Sequence, residues 1–459
     1  MHSDSKQNPT DTVATQKASV AVIGGGMTGI ATALELAKSG QCVVTVFEKE
    51  PTLGGLSAPY TWQDVTWDRF YHVVLSTDGP LLELIAELGL SDKMFWRETK
   101  VGFYGKGKLV SFSSLWDFIA FPFMNPWQKV RLVCGILYSA RIKDPAKLDK
   151  IYVRAWLTKV FGRRVFEKLW DPLLRSKLGS AREKTSAAFI WSTITRLYGA
   201  RSESGAKREQ MGHVQGGYET ILNAARDRLT ELGVTVLCNA ETTAVIPEDA
   251  TRDKVAVTCN GNTVTFDRAI ITTPCPVTLA LTNANTDDLF WSGLQKVEYL
   301  AISCVLLILS RGLSPFYVTN LLDPDLPFTG VIEATNIVAP ENLGGKHLVY
   351  LPKYMPNDDP YMQKSDEEIR IEFIAKLKTM FPDLRDEEIL HSVVAHERYV
   401  QPLQEVNYLS RLHGFKSPLA NIFVVNTAMI YNSTLNNNAA VTLGRDCARE
   451  VLVSLEKAR

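Results

Sequence analysis

Apolar residues cluster into short, regular runs at both ends of this chain and follow a looser pattern between them. Ser19–Ile23 is a short apolar run that ends in glycines, the form of a fully buried parallel strand. From Met27 to Ser39 the apolar positions Ile30, Ala33, Leu34 and Ala37 share one helical face. Gly40 stands where a helix-terminating glycine belongs, and Cys42–Phe47 reads as a second strand closed by Glu48. These pieces predict one strand–helix–strand unit. The stretch 76–214 has a helical pattern rich in aromatic and basic residues. Gly216-Gly217 then opens a helix over 218–232, and strands are expected at Val234–Cys238, Lys254–Cys259, Thr263–Phe266 and Arg268–Thr273. After a mixed region over 286–414, the strand Asn421–Val425 and the helix Asn437–Leu455 close the chain. The pattern predicts one domain assembled from 19–75, 215–285 and 415–459. A second is built from 76–214 and 286–414, and residues 1–18 form a disordered tail.

Composition narrows the function. Hydrophobic residues make up 46% and charged residues 22%, enough for cores of normal size. Fifty basic residues balance fifty acidic ones, which argues against nucleic acid as the main partner, because phosphate binding needs a basic surplus. Seven cysteines without a CxxC pair predict free thiols and a cytoplasmic, reducing setting. Seven histidines without ligand spacing predict no metal. No window reaches the ~18 apolar residues of a membrane span, and Leu300–Leu309 is better read as a buried strand. Ser111–Trp127 carries Phe112, Trp116, Phe118, Phe121, Phe123 and Trp127 with Asp117 as its one charge. Two readings fit it: a helix and turn packed in the core, or a peripheral contact with a membrane.

The chemistry begins at Gly24-Gly-Gly26-Met-Thr-Gly29, a GxGxxG turn between strand and helix. Gly24 permits the tight turn, Gly26 lets backbone approach a pyrophosphate, and Gly29 lets helix and strand pack closely. The pyrophosphate would meet the helix N-terminus at Met27 and Thr28, where unpaired N–H groups favour an anion. Glu48, followed by Lys49, would accept hydrogen bonds from ribose hydroxyls. Leu53-Gly54-Gly55-Leu56-Ser57 adds a second glycine pair. It admits a cofactor that continues past the pyrophosphate, as a flavin does.

With this order of motifs the chain resembles the superfamily of flavin-containing amine oxidases, protoporphyrinogen oxidases and phytoene desaturases. The resemblance runs from 19 to 459 and includes Asp68-Arg-Phe-Tyr-His72, which in relatives lies beside the flavin. It implies an α/β fold with a discontinuous Rossmann-type FAD-binding domain and a mixed α+β substrate domain, and non-covalent FAD. It also implies that Val245 lies by its backbone against adenine, that Thr273 and Thr427 lie near the cofactor, and that Asn438 and Ala439 open a helix toward the flavin ring. Relatives often carry Gly and an acidic residue where this chain has Asn426 and Ala428. Many amine oxidases hold a water at flavin N5 with a strand lysine. The matching strand here, Tyr299–Val305, offers Ser303, and no lysine occurs between Lys296 and Lys346.

On the substrate side the candidates are His72, Tyr317, Asn320, Tyr350 and Lys353, with Glu333, Tyr354 and 398–402 nearby. His72 either works as acid, base or flavin contact, or is a structural histidine in an aromatic hairpin. Arg163, Arg164, Arg175 and Lys177 form either a solvated face or a phosphate site. The expected activity is hydride removal from a C–H or C–N centre of a small, lipophilic or sugar-linked substrate to flavin N5. The rivals are a non-redox enzyme resembling UDP-galactopyranose mutase, which would clamp a nucleotide diphosphate with arginines, and a flavin-binding protein without turnover. Nothing in the sequence sets an oligomeric state.

Overall fold

The computed structural model describes residues 17–203, 210–248, 253–431 and 433–457; residues 1–16, most of the expected tail, lie outside them. A parallel sheet of five strands forms the first layer, in the order Thr235–Leu237, Cys42–Phe47, Ala18–Ile23, Arg268–Ile271 and Ile422–Val424. It is therefore assembled from pieces some 400 residues apart. Side chains alternate across a strand, so Val20 and Val22 enter one apolar cluster while Ala21 and Ile23 enter another. The first cluster lies under helices Met27–Lys38, Gly217–Glu231 and Asn437–Glu456, and the second under the three-stranded antiparallel sheet Thr242–Pro247, Val255–Cys259 and Asn262–Phe266. This is the Rossmann-type arrangement of a sheet covered on both faces.

The second sheet has seven strands, in the order Ile389–Pro402, Tyr299–Leu309, His347–Pro356, Gly330–Glu333, Val318–Leu321, Val101–Gly105 and Lys108–Ser111. It is antiparallel except where Val318–Leu321 runs parallel to Val101–Gly105. All eleven residues of Tyr299–Leu309 are buried, because this strand is covered on both faces. Ile302, Cys304, Leu306 and Ile308 face the side occupied by Trp67 and Phe70, while Val305, Leu307 and Leu309 face helix Asp366–Met380. A helical subdomain between 115 and 203 packs its own aromatic core around Trp156, Phe161 and Phe189.

One boundary differs from the sequence reading. Helix Gly79–Glu87, expected in the second domain, sends Leu81, Leu84 and Ile85 into the cluster beneath Met27–Lys38. Met94–Glu98 and Gln210–Val214 pair with each other, and Val74–Leu75 joins them. The helical, aromatic composition of 76–214 hides this change, because an apolar helix face looks the same whichever layer it joins.

The closing helix meets Met27–Lys38 at backbone distance. A Cβ added at Gly444 would sit 2.4 Å from the Thr28 carbonyl oxygen, and Thr32 Oγ1 donates to Gly444 O at 3.1 Å. Gly444→Val should therefore separate the two helices and lower stability by about 1–3 kcal/mol, read as a lower thermal midpoint. An unchanged midpoint would show that this contact constrains nothing.

Candidate active site

The two glycine motifs fold into one backbone-lined groove. Gly24 has φ +106°, a conformation open to glycine, and a Cβ at Gly29 would lie 1.9 Å from Gly24 O. Gly54 N–H donates to Gly25 O at 2.9 Å, and Gly55 approaches Gly26 so closely that its Cβ would stand 3.3 Å from Gly26 Cα. At Gly26 itself an added Cβ meets nothing within 4 Å. Gly26 is the N-cap of Met27–Lys38 and supplies no side-chain cap, so the first N–H groups of this helix are left for an external acceptor. Buried Glu48 receives Gly25 N–H at 2.6 Å and Glu50 N–H at 2.9 Å. Its carboxylate retains lone pairs for ribose hydroxyls. Lys49 is exposed and pairs with Glu50.

The closing helix completes the groove. Asn437 Nδ2 donates to Ser57 Oγ at 3.0 Å, tying its first turn to the second glycine motif. Asn436 caps the helix by accepting Ala439 N–H at 2.8 Å, and Asn438 Oδ1 accepts Leu81 N–H at 3.0 Å. The Ala439 N–H and the Asn438 side chain, expected to face a flavin, are thus engaged within the protein. The backbone N–H groups of Asn437 and Asn438 are the ones this terminus can still offer. Asn426, where relatives often carry glycine, is buried as a turn cap: it accepts Ala428 N–H and donates to Thr273 O, each at 3.0 Å. Thr273 also bonds Thr278 through its hydroxyl, and Thr427 starts the short helical turn that Asn426 caps. Val245, in the first strand of the three-stranded sheet, has a fully buried side chain, and its backbone is paired to Val257.

Between the sheets, His72, Tyr317 and Tyr350 line one small enclosed space with Trp67, Tyr71 and His213. Lys353 and Asn320 are not among them. Lys353 alternates with Tyr350 and Tyr354 along its strand, so it points to the opposite face, donating to Pro327 O at 3.2 Å and lying 4.5 Å above the Tyr361 ring. Glu333, likewise buried, holds Leu313 N–H and the Ser314 hydroxyl. The same parity corrects Ser303. It shares the Lys353 face, where its hydroxyl bonds His396 Nδ1 at 2.8 Å while His396 Nε2 bonds Asp366 at 2.8 Å. Because Ser303 is fully buried, this serine–histidine–aspartate chain is a tie between strand and helix. The groups presented to the opposite side, toward Trp67, Tyr71 and Tyr350, are Ile302 and Cys304.

Burial sets the protonation of this wall. It pushes Asp68 up to about 7 against the opposing Tyr218 N–H, and pushes His72 down to about 4. With His72 neutral, its 3.9 Å approach to Asp68 is not an ion pair. His213 also falls to about 4, through burial and then the Arg97 charge. Tyr350 donates its hydroxyl to Asp68 O at 2.6 Å, and Tyr71 and Tyr354 place their hydroxyls 3.1 Å apart.

A second cavity, of about 600 Å³, opens beside the N-terminus of the closing helix, where Asn436 and Ala439 meet Trp191, Thr195, Tyr431 and Asp78. No spacing rule predicts it, since Trp191 and Tyr431 are brought together from distant segments. Among the described residues no group of three or more His, Cys, Asp or Glu is placed to hold a metal ion, and no helix is long and apolar enough to cross a membrane.

The family model described as flavin containing amine oxidoreductase matches residues 27–452. The chain belongs to this family. It is an FAD-dependent oxidoreductase, and the open Gly26 cradle, the uncapped Met27 helix and the buried Glu48 fit that cofactor. This oxidoreductase is 22% identical to the zeta-carotene desaturase of Synechocystis sp. over 95% of its own length and 97% of that protein. Its fold matches cyclohexylamine oxidase from Brevibacterium oxydans IH-35A, with TM-score 0.71, 14% identity, and 96% and 100% of the two chains covered. It also matches reduced UDP-galactopyranose mutase, with TM-score 0.72, 16% identity, and 95% and 94% covered.

Two outcomes follow for the oxidoreductase. Gly26→Val fills space that the protein does not use, so the variant should fold with an unchanged apoprotein melting temperature yet purify without FAD; a yellow variant would overturn this. For Asp68, the folded form binds a proton that the unfolded chain, titrating near about 4, releases. Its contribution to stability is full below that value and is lost as pH rises toward 7. Asp68→Asn keeps the Tyr218 N–H acceptor and removes the titration. Its melting temperature should therefore rise above wild type progressively from about pH 4 and level off above pH 7, and a gap independent of pH would refute the assignment.

Proposed function

We propose that this oxidoreductase removes hydride from a C–H or C–N centre of a small, lipophilic substrate and passes the electrons to an acceptor other than oxygen. FAD, when bound, supplies acceptance of the hydride at N5. In this reading Gly26, Met27 and Thr28 receive the pyrophosphate through backbone N–H groups, Glu48 receives the ribose, and Val245 lies against adenine. The N–H groups of Asn437 and Asn438 face the pyrimidine edge of the flavin, where a helix N-terminus favours the anionic reduced ring. Gly54, Gly55 and Leu56 border the ring, and Tyr71, Tyr350 and Tyr354 form the aromatic wall opposite. His72, neutral under ordinary conditions, positions that wall and does not deliver a proton.

The observation that carries the reading is the lining of the 600 Å³ cavity. Among the described residues it is lined by aromatic, aliphatic and neutral polar side chains, with Asp78 as the one charge and no lysine or arginine. Asp78 is itself occupied by Leu75 N–H at 2.9 Å. A nucleotide diphosphate needs cations at the phosphates, and Arg163 and Arg164 are exposed on the surface, with Arg163 paired to Glu167. A lipophilic substrate suits this lining better than a sugar nucleotide. The acceptor argument rests on strand parity: Lys353 and Ser303 share the face turned toward helix Asp366–Met380, so neither brings charge to the side of Cys304.

Anaerobic mixing with apolar amines and polyenes tests the proposal, with bleaching of the flavin expected from substrate alone. A requirement for prior reduction would favour the mutase-like reading, and no response under either condition would favour a binding protein. Once reduced, the flavin should reoxidise in air-saturated buffer more slowly than in a typical flavin oxidase, by on the order of 10²-fold, as expected for one missing charge-stabilising group. Reoxidation at oxidase speed in stopped flow would remove the argument about the acceptor.

A further inference from the structure

The aromatic stretch 111–127 divides between the two roles that its sequence allows. Phe121 is buried, and Phe112, Phe118 and Phe123 pack against the helical core. Trp116 and Trp127 point outward, 78% and 76% exposed. They belong to a continuous pattern. Helix Leu115–Ala120 exposes Leu115, Trp116 and Ile119, and helix Pro126–Ser139 exposes Trp127, Val130 and Leu137. The helix register puts Val130, three positions after Trp127, and Leu137, seven further on, along one face. An ordinary exposed face would carry mixed charge there. This helix has Lys129 and Arg131 and no acid, and from 113 to 143 four basic residues stand against Asp117 alone. Asp117 is consumed in its own helix cap, accepting Ser113 and Ser114 N–H at 3.0 Å. Two of the cations border the apolar face directly: Lys129 Nζ donates to Ile119 O and Arg141 to Leu137 O.

We propose that these two helices dock the enzyme on the surface of a bilayer containing anionic lipid. The tryptophans and aliphatic side chains enter the acyl boundary while Lys129, Arg131 and Arg141 meet the headgroups. Neither helix has the length of a membrane span, so both lie in the plane of the interface. The docked helix is joined to the 600 Å³ cavity. Trp191, in the cavity wall, donates its indole N–H to Ser139 O at 2.9 Å, and Tyr431, also in the wall, donates to Pro145 O at 3.4 Å. The helix that carries Leu137 on its exposed side thus meets the cavity wall through its buried side. The docking stands on the surface alone; only the supply of a lipophilic substrate rests on the function proposed above.

The test uses the full-length, FAD-loaded enzyme and needs no turnover. Vesicles of phosphatidylcholine with about one third phosphatidylglycerol should sediment the protein, pure phosphatidylcholine should do so less, and added salt should weaken binding. The double variant W116E/W127E changes two exposed positions, so its flavin absorbance should be unaltered while its partition falls at least tenfold. Lipids brominated on the acyl chain should quench wild-type tryptophan fluorescence and lose most of that effect in the variant. Wild type that stays in the supernatant, or a variant that sediments equally well, would overturn the proposal. So would a wild-type dimer that the variant dissolves, since a second copy would then cover this face.

Discussion

Helix Met27–Lys38 touches backbone on three sides, and the rest of the molecule is arranged around that closeness. Gly29 lies against Gly24 O, Gly444 against Thr28 O, and Gly55 near Gly26. The first two approaches are shorter than a side chain would allow, and the third, at 3.3 Å, is tighter than most side chains show. The first fixes the turn after the buried strand and the second locks the final helix onto the first. The third closes the two glycine motifs into one groove whose wall is N–H and carbonyl. A phosphate bound there meets aligned dipoles with little reorganisation on binding. The helix lacks a side-chain cap, which leaves its first N–H groups to an external acceptor.

Charge is scarce where the chemistry would occur. Asp68, His72 and His213 lie together in low-polarity surroundings, and burial moves all three toward their neutral forms. Among the described residues, the cavity near the closing helix likewise holds one carboxylate and no cation. A wall of neutral histidines and tyrosine hydroxyls can orient an apolar molecule without presenting a fixed charge to it. The redox power comes from the cofactor, and the protein supplies shape, exclusion and helix dipoles.

Strand parity decides which groups reach that wall. A shift of one residue along a strand moves a side chain to the other face. Ser303 and Cys304 are neighbours in sequence, yet one ties the sheet to helix Asp366–Met380 and the other faces the tyrosines. Lys353, paired with Ser303 across the sheet, goes with it. The cluster expected from 317 to 354 consequently splits: Tyr317 and Tyr350 stay with His72, while Lys353 is withdrawn.

The sequence by itself determined the parallel sheet unit, the glycine groove, Glu48 and the cofactor class. These features rest on local rules: a buried strand must be apolar, a tight approach needs glycine, and a helix start binds an anion within a few residues of the turn. It also contained the exposed aromatic stretch, without saying which rings turn outward. The tertiary structure decided the placement of Gly79–Glu87, the inward and outward faces of Tyr299–Leu309, and the capping roles of Asn426, Asn436 and Asn438. It alone made the cavity between Trp191 and Tyr431. Such contacts join residues hundreds of positions apart, and the energy that selects them is burial and hydrogen bonding among segments that carry no short-range record of one another.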